Sequence, residues 1–232
     1  ALVRDDAHYI GRVLRARRGD PLIVTNGDGH DYHSEVTAFD RKKVVIRVDT
    51  KVAGIAPSSC RITLLQAMSR NEKMDRDLQK SVELGEAAVR PVISERSVMR
   101  LDDQRLEKRE QHWQGVMQSA VQQSGRADKP LLLKPLALSE ALSEGIEDAL
   151  RIVASPNAKV TLADTLRACS SPADVHLLIG PEGGLSDNEI AFAESAGYIA
   201  VTLGPRTLRT ETAALSLISV LQLAKGVLGW RV

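Results

Sequence analysis

Two stretches in the last third of the chain share one design, and that design constrains the fold more than any other feature. Leu177-Leu178-Ile179 runs as an apolar strand into the loop Gly180-Pro181-Glu182-Gly183-Gly184-Leu185. Ser186 then stands where it can N-cap a helix, with Glu189 three residues on to complete a capping box. One unit later Val201-Thr202-Leu203 runs into Gly204-Pro205-Arg206-Thr207-Leu208-Arg209, and Thr210-Glu211-Thr212 opens a last helix whose first-turn carboxylate suits the helix dipole. Strands that hand over directly to helices pair in parallel, and ligands of such sheets collect at the carboxyl ends of the strands.

The same alternation extends back to Arg61. Ile62–Gln66, Val89–Ile93, Leu150–Ala154, His176–Ile179 and Ala200–Leu203 read as strands. Helices are expected over Lys73–Leu84, closed by Gly85, and over Leu106–Ser124, Asp187–Ala196 and Glu211–Val227. The expected fold class is therefore α/β with a largely parallel, helix-covered sheet.

The first fifty residues follow a different pattern. Leu22–Thr25 is a short strand and Asn26-Gly27-Asp28-Gly29 a hairpin signal. Tyr32, Ser34, Val36 and Ala38 then share one face, as do Val44, Ile46 and Val48, with a turn over Asp40–Lys42. Gly54–Ser59 lacks periodicity and reads as a linker. A small β-domain over 1–55 and a larger domain over 60–232 are expected.

At 232 residues with 43% hydrophobic content, the chain can bury a sizeable core. No apolar run reaches the roughly 20 residues of a membrane span, and the start carries no signal-peptide pattern, so a soluble, cytoplasmic protein is expected. Ala1 in place of Met is read as a start inside the open reading frame. Cys60 and Cys169 stand alone, which excludes a Cys-based zinc site and a disulfide framework and leaves no metal expected. A net charge of +1 gives no general basic field, so contact with nucleic acid must rest on local clusters.

Gly-Pro and Gly-Gly loops let a ligand approach the backbone. Glu182 puts a negative charge where a pyrophosphate would sit, and neither GxGxxG nor GK[ST] is present, so a polyanionic ligand is disfavoured. Two Gly-Pro loops of one design, expected at neighbouring strand ends, would form one cavity, and Arg206 and Arg209 beside it point to functional use.

IGPEGGLSDNEI (Ile179–Ile190) and LGPRTLRTETAAL (Leu203–Leu215) closely resemble the RsmE family of 16S rRNA uracil-N3 methyltransferases, members of the SPOUT superfamily. QAMSRNEKMDRDLQKSVELG (Gln66–Gly85), QQSGR (Gln122–Arg126) and HYIGRVLR near the start resemble further blocks of that family. The resemblance implies a PUA-like β-barrel domain, a SPOUT domain with a trefoil knot, a homodimer, and S-adenosylmethionine as methyl donor. It implies 16S rRNA near the decoding site as substrate.

A donor with no phosphate suits a pocket of backbone amides and carbonyls with apolar walls. Ile179, Gly180, Pro181, Gly183, Gly184, Leu203, Gly204 and Leu208 are the expected donor-binding residues. The acceptor N3 must lose a proton, through a positioned base or through cations that stabilise the uracil anion. Arg209 is the expected cation, with Arg70 and Arg126 as alternatives, and Glu211 or Glu182 the expected proton acceptor. N3 lies on the Watson–Crick edge, so the base must be unpaired when it reacts. Arg12, Arg15, Arg17, Arg18, Arg70, Lys73 and Arg126 are the expected RNA contacts, supported by Arg41, Lys42, Lys43 and Lys80. Ribose 2′-O methylation and a non-catalytic ribosome-assembly role remain the competing readings.

Overall fold

A computed structural model describes residues 2–3, 5–40, 43–97, 103–144, 148–169, 174–224 and 227–228. The chain forms two compact units, one of residues 1–57 together with 125–129, the other of 58–124 and 130–232.

The first unit holds β1 (Leu2–Val3), α1 (Asp5–His8), β2 (Pro21–Val24), β3 (His30–Asp40) and β4 (Lys43–Ala53). A π-helical turn over Tyr9–Val13 follows α1. The strands form an antiparallel sheet in the order β1-β4-β3-β2. Alternation along β3 and β4 turns Val36 and Val44 inward, where they pack with Ile10 and half-buried Leu22 and Ile46. Arg41 and Lys42, expected in the β3–β4 turn, lie outside the described residues.

Residues 125–129 return to this unit. Ile55 bridges Arg126 and Asp28 bridges Asp128. A Cβ on Gly54 would run into the Ala127 side chain, so close passage of the two segments requires glycine there. Arg126 is buried and fixed by both edges of Asp128, Nε to Oδ1 at 2.9 Å and Nη2 to Oδ2 at 2.6 Å.

The second unit alternates strictly at its centre. Its elements are β5 (Arg61–Ala67), α2 (Asn71–Glu83), β6 (Ala88–Ile93), α3 (Asp103–Ser124), β7 (Leu131–Leu132), β8 (Leu136–Ala137), α4 (Leu138–Ser143), β9 (Leu150–Ala154), β10 (Val160–Thr161), α5 (Leu162–Ala168), β11 (Asp174–Ile179), α6 (Asp187–Ser195), β12 (Ile199–Thr202) and α7 (Thr210–Ala224). The sheet order is β10-β12-β9-β11-β5-β6-β7, with β8 also beside β6, and every pair is parallel. This is the parallel, helix-covered sheet expected from the alternation.

Period-two alternation splits the core between the two faces. Ile62, Leu64, Ile152, Val175, Leu177 and Ile179 meet Met74, Leu78 and Val82 of α2, Trp113 of α3 and Leu217, Ile218 and Leu221 of α7. Leu65, Val153 and Leu178 meet Leu138 and Leu142 of α4 and Ala193 of α6 on the other face. Each such aliphatic side chain contributes roughly 1.5–3 kcal/mol on burial. A sheet covered on both faces leaves its strand ends open, and the carboxyl ends carry the loops that follow.

Candidate active site

The loop after β11 is a compact turn in which the Gly184 N–H donates to the Pro181 carbonyl at 2.8 Å and Gly184 itself adopts φ +70°. A Cβ on Gly180 would sit 3.0 Å from the Leu185 nitrogen, so the loop folds back on a bare backbone. Ser186 caps α6 as expected: its Oγ accepts the Glu189 N–H at 3.3 Å, and the Glu189 carboxylate accepts the Ser186 N–H at 2.8 Å. The segment after β6 braces the same loop. Arg96 Nη1 donates to the Gly183 carbonyl at 2.9 Å, and Glu189 accepts the Glu95 N–H at 2.7 Å.

The loop after β12 bends at Gly204, φ +111°, whose N–H donates to Thr202 Oγ1 at 3.3 Å. Leu203 and Leu208 are half-buried, while Arg206 and Arg209 are exposed. The Arg209 carbonyl accepts the Ala213 N–H at 2.9 Å and so begins α7. The two glycine loops do not follow neighbouring strands, as their repeated design suggests they should. β9 lies between β12 and β11, and its end, where Ser155 N–H donates to the Val201 carbonyl at 3.0 Å, separates them. Thr210 joins the two loops instead. Its Oγ1 donates to the Gly180 carbonyl at 2.6 Å and accepts Gln66 Nε2 at 3.2 Å.

Beside them, Ser69 and Arg70 follow the end of β5. Arg70 occupies the N-cap of α2 and directs its N–H to Glu182 Oε1 at 3.3 Å, while Lys73 Nζ lies 3.4 Å from the same oxygen. Burial opposes ionisation of Glu182, yet the loop's own amide, the Arg70 amide and the Lys73 charge together hold its carboxyl below the ordinary range. Asp77, one turn further along α2, is buried with neither carboxylate oxygen hydrogen-bonded among the described residues. Burial first, then the charges of Glu211 and Glu182, push it up to about 7 against the opposing charges of Lys73 and Arg76. Gln66 Oε1, Ser69 Oγ and Glu211 Oε2 are likewise buried without a partner among the described residues. Native proteins seldom leave such groups open except where function uses them.

Ile179 therefore ends β11 and Gly180, Pro181, Gly183 and Gly184 lie on the loop after it, Leu203, Gly204, Leu208, Arg209 and Glu211 on or next to the second, and Arg70 and Lys73 on the adjoining helix start. The arrangement offers main-chain polar groups, apolar walls and a few charged side chains at its edge. Several expected RNA contacts belong to the first unit. Arg12, Arg15, Arg17 and Arg18 are exposed residues of the first unit, as is Lys43. Arg126 is a correction: buried in the first unit against Asp128, it is a structural strut and offers no free fork to a phosphate. Lys80 pairs with Glu83 at 2.8 Å, and Lys73 with Glu182, so both already have local carboxylate partners. Sequence reasoning missed Gln66, Ser69, Asp77, Glu95 and Arg96. Gln66, Ser69 and Asp77 lie in the Gln66–Gly85 block that carries the resemblance, and Gln66 also stands out as a polar residue in an apolar strand.

Among the described residues no cluster of His, Cys, Asp and Glu could hold a metal, and no helix is long and apolar enough to cross a membrane. Residues 56–222 match the model of an RNA methyltransferase domain and residues 3–49 that of an RNA methyltransferase PUA domain. The ribosomal RNA small subunit methyltransferase E of Buchnera aphidicola subsp. Schizaphis graminum is 33% identical over 97% of this chain and 91% of its own. A crystallised ribosomal RNA small subunit methyltransferase E from Neisseria gonorrhoeae, bound to S-adenosyl methionine, superposes with a TM-score of 0.88 at 34% identity, over 96% of this chain and 90% of that one. A Legionella pneumophila protein in complex with the bound cofactor SAM gives 0.90 at 35% identity, again over 96% and 90%. With a domain match over most of its length and relatives of this similarity, the chain belongs to the RNA methyltransferase family that includes ribosomal RNA small subunit methyltransferase E.

Proposed function

We propose that this protein transfers a methyl group from S-adenosylmethionine to N3 of a uridine in 16S rRNA near the decoding site. The observation that carries this reading is the pair of glycine loops joined by Thr210 beside Glu211. The joined loops bring bare backbone together at the carboxyl ends of the strands, and the exposed Arg70, Arg206 and Arg209 stand on the adjoining segments. The reading includes a cytoplasmic homodimer acting on the small ribosomal subunit, and a trefoil knot in the second unit.

The residues present fit the donor. Gly180 leaves no room for a Cβ, Gly184 and Gly204 hold positive φ with open space at their Cβ positions, and Glu182 is engaged by the start of α2. Main-chain groups around Ile179, Gly180, Pro181, Gly183, Gly184, Leu203, Gly204 and Leu208 would hold the adenine and amino-acid ends. When bound, the donor supplies a sulfonium methyl that is open to in-line attack. The chain's part is to hold the nucleophile in attack geometry, stabilise its charge and take its proton.

Arg209, exposed at the start of α7, offers a cation to the uracil carbonyl oxygens as negative charge grows on the base. Glu211 offers the proton acceptor, since its Oε2 has no partner among the described residues. Glu182 is unsuited to that step, because the Arg70 amide and Lys73 already stabilise its ionised form. The exposed arginines of the first unit supply phosphate contacts, and exposed Arg70, at the start of α2, is a second cation for the acceptor base beside Arg209.

The test is incubation with deuterated-methyl donor and small ribosomal subunits lacking the modification, followed by nucleoside mass analysis. The label is expected on the uracil base in 3-methyluridine. Label on the ribose would replace this reading with 2′-O methylation, and absence of any donor affinity would favour a non-catalytic assembly factor.

A further inference from the structure

Arginine has no acceptor atom, so Arg70 at the N-cap of α2 cannot satisfy the helix's first N–H groups with its own side chain. The missing carboxylate comes from 112 residues away. Glu182 Oε1 accepts the Arg70 N–H at 3.3 Å and faces Lys73 Nζ at 3.4 Å, at the positive end of the α2 dipole. The loop that carries Glu182 is itself held, by Arg96 on the Gly183 carbonyl and by the Gly184–Pro181 turn. The loop is thus the anchor and the first turn of α2 is what it anchors. Arg70 itself remains exposed.

We propose that Glu182 is a positioning residue for the transfer: it locks the first turn of α2 onto the glycine loop and so fixes where Arg70 presents its guanidinium to the acceptor base. This rests on the methyl-transfer reading above. Glu182 acts through Arg70, so its effect exists only while that side chain is present. The hold also has a chemical signature, because glutamine keeps an acceptor for the Arg70 N–H but loses the attraction to Lys73, whereas alanine loses both.

The test combines Glu182→Ala, Glu182→Gln, Arg70→Ala and the Glu182→Ala/Arg70→Ala double variant. The readouts are kcat/KM on small ribosomal subunits, donor affinity by calorimetry, and amide hydrogen exchange over residues 70–74 of the free protein. Glu182→Ala should speed exchange over 70–74 and lower kcat/KM by roughly a hundredfold, the loss expected when a reacting group is displaced by about 1 Å. Donor affinity should change little, Glu182→Gln should fall between wild type and alanine, and the double variant should be no worse than Arg70→Ala. Additive losses in the double variant, or unchanged exchange over 70–74 in Glu182→Ala, would overturn the proposal. A wild type inactive on rRNA would overturn the functional reading alone, since exchange in the free protein still reports whether Glu182 holds α2.

Discussion

Thr210 Oγ1 donates a 2.6 Å hydrogen bond to the carbonyl of Gly180, and so binds the start of α7 to the loop after β11 across the intervening end of β9. Gln66 Nε2, donating to the same hydroxyl at 3.2 Å, adds the end of β5 to the junction. One hydroxyl therefore fixes the spacing of both glycine loops. Replacing it by Thr210→Val strips the part-buried Gly180 carbonyl of this donor and leaves the buried Gln66 amide only its bond to the Ala67 carbonyl, a loss of about 1–3 kcal/mol. Calorimetric unfolding should show that fall, and donor affinity should weaken with it. Thr210→Ser should restore both; donor binding unaffected by valine would show that the loops are spaced by other contacts.

Gly184 and Gly204 hold φ of +70° and +111°, in the region that L side chains rarely adopt. Nothing stands within 4 Å of a Cβ at either position, so the cost of substitution is backbone strain and loss of ligand space, not a clash within the protein. Gly184→Val and Gly204→Val should each fold yet lose donor binding in a calorimetric titration. Wild-type-like affinity in both variants would remove these loops from the donor site.

Asp77 makes stability depend on pH in a direction opposite to most carboxylates. Its folded value of about 7 exceeds the ordinary 3.8, so the folded state binds more protons between those values and stability falls as pH rises through that window. Each unit is worth about 1.4 kcal/mol, which puts the cost of the ionised group above pH 7 on the order of 4 kcal/mol. Asp77→Asn should therefore melt at a higher temperature than wild type at pH 8 and show little advantage near pH 4. Equal melting temperatures at pH 8 would mean that the carboxylate finds a partner in solution.

Elements whose signals are local could be read from the sequence. The Ser186–Glu189 box, Gly85 closing α2 at φ +84°, and the period-two runs of β5, β9 and β11 each depend on neighbours within a few residues. Two-residue strands such as β7, β8 and β10 have no period to detect, and α4 and α5 span only 6 and 7 residues. In the site, the loop residues were legible because glycine and proline punctuate strand ends. Their cross-ties were not: Thr210 with Gln66 and Glu182 with Arg70 join residues 144 and 112 apart, a pairing set by strand order. Strand order likewise put β9 between the two loops, which their similar sequences could not reveal.

Arg209 is exposed and bonds into α7 through its carbonyl, so its side chain can be removed without disturbing the loop. Arg209→Ala should keep donor affinity and lower turnover by about a hundredfold, the usual scale for losing one donor to a developing negative charge. If donor affinity falls in proportion to turnover, Arg209 belongs to the donor pocket.

The arginines of the first unit separate into two physical classes. Arg12, Arg15, Arg17 and Arg18 are exposed, and Arg15 holds a φ of +53°, which is uncommon for a residue with a Cβ. Arg126 is buried on Asp128 through two hydrogen bonds. Binding of arginine to phosphate releases counterions, so neutralising the exposed four should weaken RNA binding and flatten its dependence on salt, by a slope of about 0.7–0.9 for each phosphate no longer neutralised. Methylation at saturating RNA should suffer less than binding at limiting RNA, because docking is impaired and chemistry is kept. Arg126→Ala should do the reverse. Removing one partner of a buried pair costs about 3–5 kcal/mol, so the first unit should lose stability through an uncompensated Asp128 while any folded fraction keeps the wild-type salt slope. Measurements on intact small subunits and on naked rRNA distinguish these outcomes. An unchanged slope after neutralising Arg12, Arg15, Arg17 and Arg18 would leave them as a solvated face and shift the RNA footprint to the second unit around Arg70.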